Sequence, residues 1–165
     1  MPIKRLTETL LNELDEKARA APRLRTNHNL HEEPGAAIQR LAVKLRQGTY
    51  IRPHRHNTRW ELGIVLQGRM DLVLFDDAGR LTERVTMTPM RGTLAMELPQ
   101  GQWHSYICVS DAATFFEVKE GPYDPATSSE FAPWSPPEGD AKAADYLEWM
   151  SMAKAGESWK RGGRK

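Results

Sequence analysis

Residues 48–68 read GTYIRPHRHNTRWELGIVLQG and place two of the chain's five histidines, His54 and His56, one residue apart. Residues two apart in a β-strand point to the same face, so the two imidazoles project together. Pro53 predicts that this strand lies at a sheet edge or at a bulge. The four residues NTRW then form a turn, and a hairpin returns Glu61 beside the imidazoles. Two imidazoles and a carboxylate are a common ligand set for a divalent transition metal.

A second stretch, LPQGQWHSYICV at residues 98–109, supplies a further ligand. Pro99 and Gly101 predict a turn, after which His104 enters a strand. If that strand packs beside the first pair, His104 completes a set of three histidines and one glutamate. Such a site can leave one or two positions open for water or substrate, and an open position makes catalysis possible.

The region between residues 38 and 119 has the pattern of short β-strands. After Ile38 the apolar residues Leu41, Val43 and Leu45 alternate with polar or small ones, and DDAG at residues 76–79 predicts a hairpin turn. Many short strands with frequent turns predict an all-β domain, an antiparallel sandwich or small barrel.

Each end of the chain predicts a short helix. Apolar residues at a spacing of four form the N-terminal stripe, namely Leu6, Leu10, Leu14 and Ala18. Asp140 can cap a second helix, which follows a proline-rich extension and precedes the basic tail KRGGRK. The sequence therefore predicts three parts: an N-terminal helical segment packed on the domain (1–25), a β-barrel (26–125) and a C-terminal extension with a short helix and the basic tail (126–165).

Composition excludes several classes of protein. Charge is balanced, with 23 lysines and arginines against 22 acidic residues, so neither nucleic acid nor a membrane is an expected partner. The N-terminus lacks the apolar segment of a secretory signal, and a single cysteine cannot form an internal disulfide. These features together predict a cytoplasmic protein.

The two stretches resemble the paired motifs of the cupin superfamily. The spacing of the first motif is matched at every position, by Gly48, His54, His56, Glu61 and Gly68. The second match is looser, because Gly92 lies one residue too far upstream and Cys108 stands where asparagine is usual. The resemblance implies a small antiparallel β-barrel of the cupin, double-stranded β-helix or jelly-roll type. It also implies a metal held by His54, His56, Glu61 and His104.

Segments from about Thr26 to Asp140 also resemble the WbuC-type cupin fold metalloproteins. That resemblance implies a bound metal, a homodimer and a sugar-related substrate linked to surface-polysaccharide biosynthesis. No settled reaction comes with this branch.

Strand phase adds candidates for a substrate pocket. Tyr50 and Arg52 share the phase of the histidine pair, and Tyr106 shares the phase of His104. Arg52 would clamp a substrate anion there, or reach solvent if its part of the strand extends beyond the pocket. Tyr106 is also a candidate for proton transfer. His31, in a loop-like stretch before the first barrel strand, could reach the pocket from the barrel mouth.

Two further predictions depend on which strand face is inward. In the strand TFFEVK, an apolar inner face is the Phe116 and Val118 side. That choice puts Glu117 and Lys119 outside as a surface ion pair of little energetic weight, although phase alone does not decide it. Cys108 lies four residues after His104 on the same face of an apolar strand, and it is predicted to be a small, buried hydrophobic side chain.

Two functions follow from different classes. The first is a metal-dependent enzyme acting on a small oxygen-rich substrate, a sugar or carboxylate, as an isomerase or epimerase, or as a dioxygenase if the metal is iron. The alternative is a module that binds or senses a small ligand through the metal without turnover. Three imidazoles and a carboxylate suit iron, manganese, nickel, zinc or copper, so the ligand set leaves the metal open.

Overall fold

The computed structural model describes residues 2–160, so most of the basic tail, residues 161–165, lies outside the described residues. The elements are α1 (Glu8–Ala20), β1 (Arg25–Asn29), β2 (Ile38–Arg46), β3 (His54–Arg55), β4 (Glu61–Gln67), β5 (Met70–Phe75), β6 (Leu81–Met87), β7 (Ala95–Leu98), β8 (Trp103–Cys108), β9 (Ala112–Glu120), β10 (Glu130–Phe131) and α2 (Ala143–Met152). Within residues 2–160, neither helix is long and apolar enough to span a bilayer. The predicted all-β fold with a short helix near each end is confirmed.

The strands form two five-stranded antiparallel sheets. The first sheet has the order β1-β2-β9-β4-β7, and the second has the order β10-β3-β8-β5-β6. Among the described residues, no ladder joins the edge strands of one sheet to those of the other, so the predicted barrel is a two-sheet jelly roll that hydrogen bonds do not close.

The main core lies between the sheets. Its fully buried side chains come from both sheets and include Leu45, Val65, Leu72, Met87 and Phe115. Alternation along the strands delivers these residues to one face, and their burial away from water is the main force holding the sheets together.

Each sheet is also covered on its outer face. Helix α1, capped by the Thr7 hydroxyl, packs Leu11 and Leu14 against Ala42 and Phe116 of the first sheet. The helix thus buries Leu11, whereas the predicted stripe contained Leu10. On the second sheet, α2 packs side chains such as Tyr146 and Met150 in a cluster that includes Val73, Trp103 and Ile107. Both sheets therefore have two apolar faces.

The C-terminal extension reaches the strand that carries the first histidine pair. Strand β10 pairs with β3, which itself pairs with β8. The predicted edge position for β3 is therefore wrong, because a two-residue strand occupies the edge. The regular strand is also short, since Pro53 precedes it and offers no N–H; its carbonyl oxygen accepts a hydrogen bond from the Ala132 N–H at 2.9 Å.

Candidate metal centre

Three histidines of the second sheet meet in the interior. His54 on β3 lies directly opposite His104 on β8, and their ring centroids are 4.4 Å apart. His56, just beyond β3, brings its ring to 5.3 Å from His54 and 5.6 Å from His104. One ligand nitrogen from each ring lies within 4.8 Å of the other two, so the three side chains could hold a metal ion.

Backbone carbonyls fix the orientation of all three rings. Each Nδ1 lies within hydrogen-bond distance of a carbonyl oxygen, that of Arg52 for His54 (3.0 Å), Ser128 for His56 (2.5 Å) and Gln102 for His104 (2.9 Å). A carbonyl oxygen only accepts, so each Nδ1 carries a proton and donates it. The neutral ring then presents the lone pair of Nε2, the form in which histidine binds metals.

Two observations on Nε2 atoms fit a bound cation. The Nε2 of His104 is buried without a hydrogen-bond partner, an arrangement that is costly unless something binds it. The Nε2 of His56 lies 2.8 Å from Glu61 Oε2. With its Nδ1 proton already donated, His56 can approach a carboxylate this closely only if a second proton or a metal ion bridges the two atoms. The donor set therefore fits a divalent transition metal.

Glu61 faces the histidines from the opposite sheet. It begins β4, is 2% exposed, and its Oε1 accepts a hydrogen bond from the Tyr106 hydroxyl at 2.9 Å. The same oxygen lies 3.9 Å from His104 Nε2. Burial raises the pKa of Glu61, but the interactions with His56, His104 and Lys119 outweigh burial and lower it. Glu61 is therefore an ionised oxygen donor next to the three rings.

Burial also controls the protonation of the rings. It lowers the pKa of His54 well below the usual range, and the neighbouring rings of His104 and His56 lower it further. Burial is likewise the largest influence on His104, whose pKa is lowered although Glu61 acts in the opposite direction. Both imidazoles are neutral near pH 7, as metal coordination requires.

Tyr50 and Arg52 contact the C-terminal extension. The Tyr50 hydroxyl donates to the Pro136 carbonyl at 2.9 Å, and its ring belongs to the cluster under α2. Arg52 donates to the Ala132 carbonyl at 2.8 Å and to the Ser135 hydroxyl at 3.1 Å. Each side chain thus has structural partners in the extension, and the pocket roles of both stay predictions.

His31 is a buried histidine outside the trio. Its Nδ1 accepts a hydrogen bond from the backbone N–H of Arg40 at 3.0 Å, which ties the loop before β2 to that strand. This bond accounts for the burial of His31, and its role at a substrate pocket stays a prediction.

Glu117 and Lys119 point inward, so the favoured outward placement is wrong. Glu117 is 7% exposed, and the Lys119 ammonium pairs with its Oε1 at 2.5 Å. Lys119 is the direct cross-strand neighbour of Glu61. Phe116 and Val118 lie on the outer face, where Phe116 packs under α1. The apolar stripe of the N-terminal helix was the available signal, since such a helix requires an apolar outer face on the sheet that it covers.

Sequence comparison gives little beyond this geometry. A family model described as a domain of unknown function (DUF6016) matches residues 6–87, just under half of the chain. A comparison with curated protein sequences finds no match.

Solved structures resemble the chain in fold. Capsular polysaccharide assembling protein CapF from Staphylococcus aureus matches with a TM-score of 0.55 at 16% identity, over 68% of this chain and 32% of CapF. Oxalate oxidase in complex with the substrate analogue glycolate matches with a TM-score of 0.53 at 18% identity, over 79% of this chain and 72% of the oxidase chain. The aligned region thus spans about a third of CapF.

These matches and the two-sheet topology define the class of protein: the chain has the cupin fold. Its three interior histidines could hold a metal, as predicted for a cupin. These matches do not show that the chain is a WbuC-type cupin, so its membership of that branch stays a prediction.

Proposed function

We propose that the protein binds one divalent transition metal through His54, His56 and His104, with Glu61 as fourth ligand, and acts as a metal-dependent enzyme on a small oxygen-rich substrate. The observation that carries the proposal is the buried, unpartnered Nε2 of His104 beside two other imidazoles whose Nδ1 atoms are also fixed by carbonyls. A buried lone pair without a donor is unfavourable, and a metal ion is the partner that three converging lone pairs suit best.

When bound, such a metal supplies a Lewis acid that polarises a substrate oxygen. The chain's own residues prepare the site for that chemistry. His56 and His104 are buried away from water, and the hydrogen bond from Tyr106 holds the Glu61 carboxylate in place. Burial and the nearby charge of Glu61 raise the pKa of Tyr106 well above its usual range. Tyr106 therefore keeps its proton as a donor, which suits positioning better than action as a base.

The substrate class rests on resemblance. The WbuC-type cupins imply a saccharide linked to surface-polysaccharide biosynthesis, and a protein that matches this chain in fold is described as assembling capsular polysaccharide. Sugars and sugar acids also offer the paired oxygen atoms that open metal positions would bind. The proposed reaction is isomerisation or epimerisation of such a substrate, or a dioxygenase reaction if the metal is iron. The proposal also includes a cytoplasmic location and a homodimeric state.

The second candidate is a module that binds a small ligand through the metal without converting it. The two carboxylates near the trio favour this candidate, because both have partners. Glu61 is bonded to His56 and Tyr106, and Glu117 is paired with Lys119. With Tyr106 holding its proton, a free general base is the component that an enzyme would still need.

The test that separates the two candidates is incubation of metal-loaded protein with a panel of sugars and sugar acids, followed by NMR. Conversion that is lost in His104→Ala supports the enzyme. Metal-dependent binding without conversion supports the binding module, and neither binding nor conversion contradicts both. Thermal unfolding with and without a chelator is the parallel control, since complete loss of the fold on chelation would indicate a structural ion instead.

A further inference from the structure

Two basic side chains lie beside the candidate metal centre. Lys119 is the direct cross-strand neighbour of Glu61, and directly opposed residues of an antiparallel pair share one face of the sheet. Its side chain is 14% exposed, and its ammonium is paired with Glu117. Lys119 therefore places a nearly buried positive charge on the same interior face as the proposed fourth ligand.

Arg59 is the second of these side chains. It lies two residues before Glu61 and is half-buried. Its Nη1 is buried without a hydrogen-bond partner. A guanidinium stays charged at all ordinary pH values, so this buried N–H donor cannot become neutral by losing a proton. A buried, charged and unpartnered donor points to a ligand that supplies the acceptor.

The two cations are neighbours. Burial and the charge of Arg59 lower the pKa of Lys119, but the carboxylates of Glu117 and Glu61 outweigh both and raise it. Like charges brought together in a protein interior repel strongly unless counter-charge compensates them. Both basic side chains therefore lie next to Glu61, Lys119 opposite it on β9 and Arg59 two residues before it in the chain.

The charge balance of this group favours an anion. The group contains two carboxylates, Glu61 and Glu117, and two basic side chains, Lys119 and Arg59, and an imidazole that binds a metal does so in its neutral form. A divalent metal in the site then adds two further positive charges beside Lys119 and Arg59. Buried excess charge is unfavourable without a counter-ion, so a substrate that brings its own negative charge is favoured over a neutral one.

We propose that Arg59 and Lys119 form an oxyanion subsite that binds a carboxylate or phosphate group of the substrate beside the metal. This inference rests on the proposed function and narrows its substrate class from oxygen-rich molecules to anionic ones. It also assigns the role of anion clamp to Arg59, whereas the sequence analysis named Arg52 as one candidate for that role. The Arg52 guanidinium bonds to the Ala132 carbonyl and the Ser135 hydroxyl.

The test is calorimetric titration of protein of measured metal content with galacturonate, galactose 1-phosphate and galactose. These ligands keep one sugar scaffold and differ in charged group, so their ranking separates a carboxylate site from a phosphate site. At least one anionic sugar is expected to bind on the order of 10-fold or more tightly than galactose, as a charge-assisted hydrogen bond would give.

Variants locate the effect at Arg59. Arg59→Gln is expected to lower affinity for the anionic sugar by about 10- to 100-fold while metal content is unchanged. Arg59→Lys keeps the charge and should restore part of the loss. The matched control is Arg91→Gln, which removes an exposed arginine from the loop between β6 and β7 and should leave affinity unchanged. Circular dichroism checks that each variant is folded.

The outcomes separate this inference from the proposed function. Three results at full metal content overturn the oxyanion subsite but leave the metal proposal standing. They are equal affinity for all three sugars, binding of none of them, and no effect of Arg59→Gln. Anion binding that depends on Arg59 in a protein that takes up no metal supports the subsite and contradicts the metal proposal.

Discussion

At the scale of single residues, the Tyr106 hydroxyl is the group that fixes the proposed carboxylate ligand. It donates to Glu61 Oε1 at 2.9 Å, and the Tyr106 side chain is held by packing against Phe115. We therefore expect Tyr106→Phe to lower metal affinity by about 10- to 100-fold, because the carboxylate loses the partner that orients it. Competition with a chelator of known affinity measures the change.

Tyr146→Phe is the matched control for that substitution. Its hydroxyl is also buried, but it has no hydrogen-bond partner, so removing it should leave metal affinity unchanged and stability equal or higher. Equal metal affinity in Tyr106→Phe and the parent would show that Glu61 is not held for coordination.

A second prediction at this scale concerns the sole cysteine. Burial raises the pKa of Cys108 to about 11, and its Sγ lies 3.1 Å from the Ser110 carbonyl oxygen. The reactive thiolate is therefore scarce and enclosed. At pH 8 we expect labelling by a thiol reagent to be slow in the folded protein and fast in urea. Rapid labelling of the folded protein would contradict the predicted role as a buried small hydrophobe.

The ligand pattern was predictable because side-chain direction alternates along a strand and a hairpin returns the chain. His54, His56 and His104 meet as the sequence indicates. The alternation of side-chain direction does not extend to Tyr50, because the regular strand begins only at His54. The carbonyl of Ser128, which orients His56 from 72 positions along the chain, has no sequence signal, since every residue offers a carbonyl.

At the scale of elements, the β4–β5 turn depends on Gly68. Its φ is +74°, and a Cβ there would overlap the carbonyl oxygen of Ala112. Gly92, in the loop before β7, has a similar φ of +69° but open space around it. Gly92→Ala should cost about 1–2 kcal/mol from backbone strain alone, and Gly68→Ala should cost roughly 1–3 kcal/mol more from overlap.

Urea unfolding of the two variants measures this difference directly. The comparison isolates steric overlap because both positions carry the same type of backbone strain. Similar losses in the two variants would contradict the close approach of the β4–β5 turn to Ala112.

The outer faces of the sheets explain where element-level prediction failed. If only one face of the strand is apolar, the pattern favours Phe116 and Val118 inward and Glu117 and Lys119 outward. Helix α1 covers the outer face of the first sheet, so the Phe116 side of β9 faces the helix, while the opposite side, which carries Phe115, faces the core. Period-two patterns locate a strand reliably, but they do not identify the inner face when both faces are buried.

At the scale of the whole molecule, the buried histidines couple stability to pH. Burial lowers the pKa of His54 and His104, whereas the unfolded chain protonates them near the ordinary value of 6.5. The unfolded state thus binds more protons below about pH 6.5, and the free energy of unfolding should fall on acidification there. Glu117, whose pKa is raised by burial and by Glu61, opposes the trend with a single proton.

Thermal unfolding in the presence of a chelator, between pH 7.5 and 5.5, tests this coupling without a metal contribution. The midpoint should fall toward pH 5.5, and the double variant His54→Gln, His104→Gln should lose much of that dependence. A midpoint that is unchanged or higher at pH 5.5 would mean that the rings are not buried in neutral form.

The fold class was predictable from the sequence, but whether the two sheets close into a barrel was not. Short alternating strands, frequent turns and the paired motifs indicated a cupin jelly roll, and the two sheets have that form. Whether the sheets join depends on pairing between edge strands that are distant in sequence, such as β1 with β10, and local patterns carry no information on such pairs.

The most direct test of the account is the metal content of purified protein beside His54→Ala, His104→Ala and the control His31→Ala, which removes a buried histidine outside the trio. The account predicts about one equivalent of a transition metal in the parent and the control, and its loss in the other two variants. No metal in the parent after reloading with iron, manganese, nickel, copper and zinc would contradict the account, as would equal metal content in all four proteins.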